Sequence, residues 1–243
     1  MIRYLWVGAV LLLSSCGIIS IESLPPPPVP DPTVTQNDFR KLTFTHNSGT
    51  YSSNADFQGY EVYYKLYAPA TGPFDNLTAD NSQLLSVTPT RDYLINLGYQ
   101  RMSASDQNSG NVPLIADPGN GDVIVLDFTD FFDKMNVPNP PTSHTQSPIA
   151  ARPTIQVGGG SPFFVFRTIS TSGVFSYPWF SDLYKPWTTA TSDMARLGTY
   201  AILPSTDEYE IDVFLVAYSF TPEQTIYSQP VPWGVISPLE VDK

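Results

Sequence analysis

Phe57-Gln58-Gly59-Tyr60-Glu61-Val62-Tyr63-Tyr64-Lys65-Leu66-Tyr67 is the most regular stretch of the chain. Tyr60, Val62, Tyr64 and Leu66 fall on one face and Glu61, Tyr63, Lys65 and Tyr67 on the other, the period-2 signature of a β-strand. Toward the N-terminus, Lys41-Leu42-Thr43-Phe44-Thr45 alternates in the same way, and the turn-forming Asn47-Ser48-Gly49 ends it. Toward the C-terminus, Tyr209, Ile211, Val213, Leu215 and Ala217 share a face. The opposite face opens with Glu210 and Asp212 and continues with Phe214, Val216 and Tyr218. That strand is expected to begin half-solvated and to end buried on both faces, so some other part of the chain must cover its second half. Ser228-Gln229-Pro230-Val231-Pro232 reads as an edge strand, because proline cannot donate to a ladder.

The composition agrees with short strands joined by turns. Charged residues make up only 14% and aromatics 13% of the 243 residues, and there are 24 prolines and 15 glycines. Aromatic side chains fit pleated, half-buried surfaces, and long amphipathic helices are almost absent. Beyond a proline-rich run near the N-terminus, roughly 200 residues remain, enough for one large domain or two small ones, and the strand-rich composition favours one.

Two of these strands carry a family resemblance. Gly59-Tyr60-Glu61-Val62-Tyr63-Tyr64 resembles the third strand of a fibronectin type III domain, and Tyr209 through Ala217 resembles its sixth. Leu203-Pro204-Ser205-Thr206 before Tyr209 is similar to the tyrosine corner of such sandwiches, with Pro204 and Thr206 each displaced by one position. Phe44 stands where the family usually has a tryptophan. The resemblance implies an all-β, immunoglobulin/fibronectin-like β-sandwich. A module of that kind is near 100 residues, whereas roughly 140 separate the two matching strands here. Residues 68–202 therefore read as a large insertion with extra strands and a short helix, inside an elaborated sandwich spanning 37–243.

Within the insertion, Thr88-Pro89-Thr90-Arg91-Asp92-Tyr93-Leu94-Ile95-Asn96-Leu97-Gly98 has a Thr cap at Thr88, proline at the first helical position and a terminal glycine, which predicts a short helix. Val112 to Ala116 and Gly121 to Phe128 flank Asp117-Pro118-Gly119-Asn120, and the Asn120-Gly121 pair predicts a hairpin between them. Residues 138–148 read as loop. Thr154-Ile155-Gln156-Val157 and Phe163 to Ile169 read as two buried strands around a bend at Gly158-Gly159-Gly160.

The N-terminus specifies an address. Arg3 supplies a positive n-region, Leu5 to Leu13 a short apolar run, and Ser14 and Ser15 a small-residue site before Cys16, as in a cleavable signal peptide over residues 1–15. The apolar run falls short of the roughly 20 residues needed to span a bilayer. Leu13-Ser14-Ser15-Cys16 resembles the bacterial lipobox, and Cys16 is the only cysteine. The resemblance implies that Cys16 becomes the lipidated mature N-terminus and that Gly17, in place of aspartate, permits export to the outer membrane. Several acyl chains, at about 0.8 kcal/mol per buried methylene, give an effectively permanent membrane association. Residues 16–36 then form the tether: Pro25-Pro26-Pro27-Pro28, Pro30 and Pro32 read as a stiff polyproline II spacer, or alternatively as a ligand for a proline-recognising module.

Charge and motif content narrow the function classes. Loss of residues 1–15 leaves 11 basic against 23 acidic residues, a formal charge of −12, which argues against a nucleic-acid partner because phosphate binding needs clustered Lys and Arg. With Cys16 lipidated, no thiol is left for a disulfide or a thiolate metal site, and no cofactor other than the lipid is expected. His46 and His144 are the only histidines and read as solvated or capping residues; neither has a glutamate or second histidine at metal-ligand spacing. No Gly-x-Ser-x-Gly elbow occurs. Gly158-Gly159-Gly160 lacks the ending of a phosphate loop. Asp117, Asn120 and Asp122, and Asp127, Asp130 and Asp133, are acidic clusters of the kind calcium accepts, but they fit solvated turns better.

The candidate binding patch lies in Val174 to Trp187, where Tyr177, Trp179, Phe180, Tyr184 and Trp187 stand in a loop-like, proline-punctuated segment. Exposed, these rings suit partner anchoring or sugar stacking; buried, they complete the core. The chain is thus expected to be a lipid-anchored envelope protein that presents a sandwich for protein or glycan contact without catalysis. A tethered hydrolase with its site in 68–202, and a purely structural envelope component, are the alternatives.

Overall fold

The computed structural model describes residues 23–28, 40–67, 77–104, 112–129, 153–167 and 210–236. These residues form an all-β sandwich of two antiparallel sheets with two short helices. The strands are β1 (Lys41–Thr45), β2 (Phe57–Tyr67), β3 (Gln100–Ser103), β4 (Ile115–Ala116), β5 (Val123–Asp127), β6 (Thr154–Val157), β7 (Phe163–Phe164), β8 (Phe166–Arg167), β9 (Glu210–Phe220), β10 (Thr225–Tyr227) and β11 (Val231–Ile236). The helices are α1 (Leu77–Ser86) and α2 (Arg91–Asn96). Among the described residues, no helix is long and apolar enough to cross a membrane.

β2 is the axis of the larger sheet. It pairs with β9 over nearly its whole length, from Phe57 opposite Ser219 to Tyr67 opposite Glu210, and its other edge is shared by β3 and β4. β10 and β11 both pair with β9 and close that side, and β11 is bulged between Pro232 and Gly234. β8 adds to β3 at the opposite side. The smaller sheet runs β1-β5-β6-β7, with Lys41 directly opposite Asp127 in an ion pair of 3.1 Å.

The core lies between the sheets. Leu42 and Phe44 from β1, Ile124 and Leu126 from β5 and Ile155 from β6 meet Tyr60, Val62 and Tyr64 from β2 and the Ile211, Val213, Leu215 and Ala217 row of β9. Phe44 packs edge-on against both Tyr60 and Trp233, each at 5.2 Å between centroids. On the far side of the larger sheet a second apolar cluster joins Tyr63, Phe214 and Val216 to Leu84 of α1, Leu94 of α2 and Tyr99. Burying each of those leucines contributes about 1.5–3 kcal/mol. The two helices therefore make a third layer that covers the second face of β2 and β9.

Several expectations need correction. β9 does not begin half-solvated: residues 211–219 are all buried, and Asp212 is only 2% exposed. The cap of α2 is Thr90, whose side chain accepts from the Tyr93 amide, so Pro89 precedes the helix. The terminal Gly98 has the expected left-handed conformation, φ 92°. The hairpin over residues 112–128 does not form. β4 joins β2 while β5 joins β1 and β6, so the turn carries the chain from one sheet to the other, with Asp117 and Gly121 at positive φ. Phe163 to Arg167 likewise divides between sheets, pairing first with β6 and then with β3. Val165, at the crossing, is fully buried, and Phe164 is exposed. α1 was not expected at all.

Residues 23–28, assigned from the sequence to the spacer, lie against the sandwich. Leu24 belongs to the main core cluster, and the Tyr51 hydroxyl donates to the Pro26 carbonyl at 3.3 Å.

Candidate functional site

The helix-covered face of β2 carries a layer of ionisable side chains, and period 2 places them there. Glu61, Tyr63, Lys65 and Tyr67 all point away from the sandwich core, and α1, α2 and β3 bury them. At one end Glu61, fully buried, meets Arg101 at 2.9 Å through Oε1 and Arg91 at 3.4 Å through Oε2. The Arg101 contact is an ion pair without hydrogen-bond alignment. Arg101 also donates from Nη2 to the Val112 carbonyl at 2.6 Å. The Tyr63 hydroxyl donates to Glu61 Oε2 and accepts from Arg91 Nε at 2.6 Å. The Arg91 guanidinium lies over the Tyr227 ring at 4.3 Å.

At the other end, Lys65 Nζ donates to Asp80 Oδ2 at 2.7 Å and to the Leu97 carbonyl at 2.6 Å. Tyr67 donates to the same carboxylate oxygen at 2.8 Å, and its hydroxyl touches that of Tyr99 at 3.0 Å. Tyr99 in turn donates to Asp212 Oδ2 at 2.6 Å. Asp212 stands directly across the ladder from Lys65. Lys65 and Tyr67 thus share Asp80 while Tyr99 holds Asp212, and the two hydroxyl oxygens meet between the carboxylates.

Burial is the largest influence on these tyrosines and raises the pKa of Tyr63, Tyr67 and Tyr99; neighbouring carboxylates add to it. All three therefore stay protonated donors through the neutral range. Arg91, which burial alone would lower, is held above its ordinary value by Tyr63 and Glu61. The layer consists of buried opposite charges bonded to one another, an arrangement that binds elements together and sets register. A one-residue slip of β2 would turn Glu61 and Lys65 into the apolar core.

A second cluster sits at the other end of β2, against the sandwich core. His46 is 2% exposed, and its Nδ1 is 2.7 Å from the Tyr60 hydroxyl. Its ring stacks on Phe57 and Tyr51 at 5.7 and 6.0 Å, and those two rings stack on each other at 4.1 Å. The expectation of a solvated or capping histidine is overturned, because three aromatic rings and the 117–122 turn close over it. Burial lowers the His46 pKa, and Asp122 and Asp117 partly offset that. Tyr51 is pushed up to about 12, chiefly by burial.

The side-chain oxygens of Asn120 and Asp122 hold the turn, in which Asp117 takes a left-handed conformation, φ 42°. Asn120 Oδ1 accepts from the Ser48 amide at 3.1 Å, and Asp122 Oδ2 from the Gly119 amide at 2.7 Å. Asp127 bonds the Thr129 amide. Among the described residues, no group of three or more His, Cys, Asp or Glu could hold a metal ion. Gly158 and Gly160 form the turn between β6 and β7, with Gly158 at φ 53°.

Cys16, His144, Asp130, Asp133, the 203–209 corner and the aromatic stretch of Tyr177, Trp179, Phe180, Tyr184 and Trp187 lie outside the described residues. Sequence reasoning missed the Glu61-Arg91-Arg101 and Lys65-Asp80-Asp212 groupings. The one signal was that charges and tyrosines shared the second face of an otherwise apolar strand. No protein-family model, no curated protein and no solved structure matches the chain.

Proposed function

We propose that this chain is a lipid-anchored envelope protein, attached through Cys16 to the outer membrane, that presents its β-sandwich for contact with a protein or glycan and carries out no catalysis. The observation that carries the reading is the leader itself: Arg3, the apolar Leu5 to Leu13, then Ser14-Ser15 and the sole cysteine, Cys16. The internal pairing of the ionisable layer on β2 and β9 supports a framework role for those side chains. The contact surface is assigned to Tyr177, Trp179, Phe180, Tyr184 and Trp187.

The test is metabolic labelling with an alkyne fatty acid, followed by detergent phase partition. The parent chain is expected to take up label and enter the detergent phase, and Cys16→Ser to lose the label and remain aqueous. Equal partition of the two would refute the anchor. Protease treatment of intact cells, with a periplasmic protein as integrity control, then separates a surface role from an inward-facing one.

A further inference from the structure

We propose that the aromatic end of the sandwich is a binding site for a leucine-anchored polyproline II peptide, occupied in this chain by its own Ser23–Pro28 segment. Within that segment Leu24 and Pro27 are buried, Pro25 and Pro28 half-buried and Pro26 exposed. Burial that recurs after three residues is the face of a polyproline II helix, which has three residues per turn. Leu24 enters the same apolar cluster as Tyr51, Phe44 and Trp233.

The polar contact has the matching chemistry. Proline has no N–H, so the Pro25–Pro28 run offers only backbone acceptors, and the site meets the Pro26 carbonyl with a donor, the Tyr51 hydroxyl, at 3.3 Å. Tyr51 is positioned by its stack with Phe57 and by the parallel His46 ring. Aromatic rings that receive a preformed proline helix are a recurring mode of peptide recognition, because little chain entropy is lost on docking.

Occupancy in cis has a mechanical consequence, which rests on the reading of Cys16 as the lipid anchor. With Leu24 docked, at most about 28 Å of extended chain separates Cys16 from the domain; with the segment released back to Arg40, that reach grows to about 80 Å. The site therefore acts as a clasp on tether length, and a peptide of the same chemistry would open it.

The test uses the full chain with Cys16→Ser, so it does not depend on lipidation, and a fluorescent Ser-Leu-Pro-Pro-Pro-Pro peptide read by anisotropy. In the parent the tethered segment competes at roughly millimolar effective concentration. Leu24→Asp is expected to vacate the site and bind the free peptide at least ten-fold more tightly in apparent terms. Adding Tyr51→Phe to that variant should weaken binding several-fold, and a peptide with aspartate for leucine should not bind.

A second readout leaves the fold untouched: a dye on Ser23→Cys, in the same Cys16→Ser chain, should change emission when millimolar unlabelled peptide displaces the segment. A Leu24→Asp chain that keeps its near-ultraviolet dichroism yet ignores the peptide overturns the proposal. So does a Ser23→Cys dye that responds equally to the leucine and aspartate peptides, or to neither.

Discussion

Replacement of Lys65 by methionine tests whether the layer between β2 and the helices is an interior ion-pair system. Lys65 and Asp80 expose only 6% and 10% of their side chains and lie 2.7 Å apart. At an effective dielectric of about 20 the gross Coulomb attraction at that distance is about 6 kcal/mol, against a desolvation cost of several kcal/mol per ion. Methionine keeps the stem but leaves Asp80, among the described residues, with the Tyr67 hydroxyl alone, and the Leu97 carbonyl loses its ammonium donor. Breaking a buried pair from one side costs about 3–5 kcal/mol, so Lys65→Met should lose that much in urea unfolding at pH 7 with an unchanged slope. Lys65→Met/Asp80→Asn removes both charges and preserves an acceptor for Tyr67. It should recover about 2 kcal/mol or more of that loss. A single-variant loss under about 1 kcal/mol would mark a solvated pair, and strict additivity in the cycle would show that the two side chains are uncoupled; either result refutes the reasoning.

Gly59 should tolerate nothing larger: an added Cβ would fall 1.9 Å from the Ile115 carbonyl oxygen at φ 135°, so Gly59→Ala should cost above about 3 kcal/mol. Gly158→Ala would place a Cβ 2.4 Å from Asp122 Oδ1 at φ 53°, and because Asp122 Oδ2 is bonded to the Gly119 amide the clash is relieved only by disturbing that turn, so it should cost about 1–3 kcal/mol; paired denaturation curves decide both. His46 has a folded pKa below its ordinary 6.5, so the unfolded chain takes up the proton first and stability should fall as pH drops below about 6.5. The drop in urea midpoint between pH 7.5 and 5.0 should shrink in His46→Phe; an unchanged drop would assign it elsewhere. Asp127, whose pKa is depressed by the Thr129 and Lys41 bonds against the effect of burial, loses its contribution only below about pH 3.9 and stays outside that window. Trp179→Ala with Trp187→Ala should abolish binding on a glycan array or to a captured protein without shifting the melting temperature, whereas a large shift would place those rings in the core.

Period-2 alternation was enough to locate β1, β2 and β9, because a strand's inward and outward positions are written in consecutive residues; the edge strand read from the prolines of 228–232 is misplaced, since 228–230 link β10 to β11 and only Val231 and Pro232 belong to a strand. The short helix at Arg91–Asn96 and its stop at Gly98 were equally local, although the cap read at Thr88 belongs to Thr90, two residues on, which accepts from Tyr93. The signal-peptide pattern ending at Cys16 is also a local matter of charge, apolar length and small residues.

What local pattern could not supply was partner choice. Nothing in Ile115–Ala116 or Val123–Asp127 says that adjacent strands join opposite sheets, since a turn sequence such as Asn120-Gly121 serves a hairpin and a crossing alike. α1, Leu77-Thr78-Ala79-Asp80-Asn81-Ser82-Gln83-Leu84-Leu85-Ser86, has weak helix propensity because Thr, Asn and Ser compete for backbone hydrogen bonds. It is held by Leu84 in the second apolar cluster and by the Asp80 bonds to Lys65 and Tyr67. The burial of Glu61, Lys65, His46 and Asp212, and the docking of Leu24, follow from contacts between segments far apart in the chain. Alternation assigns a side chain to a face, and only the packing of remote elements over that face determines whether it meets water or an opposite charge.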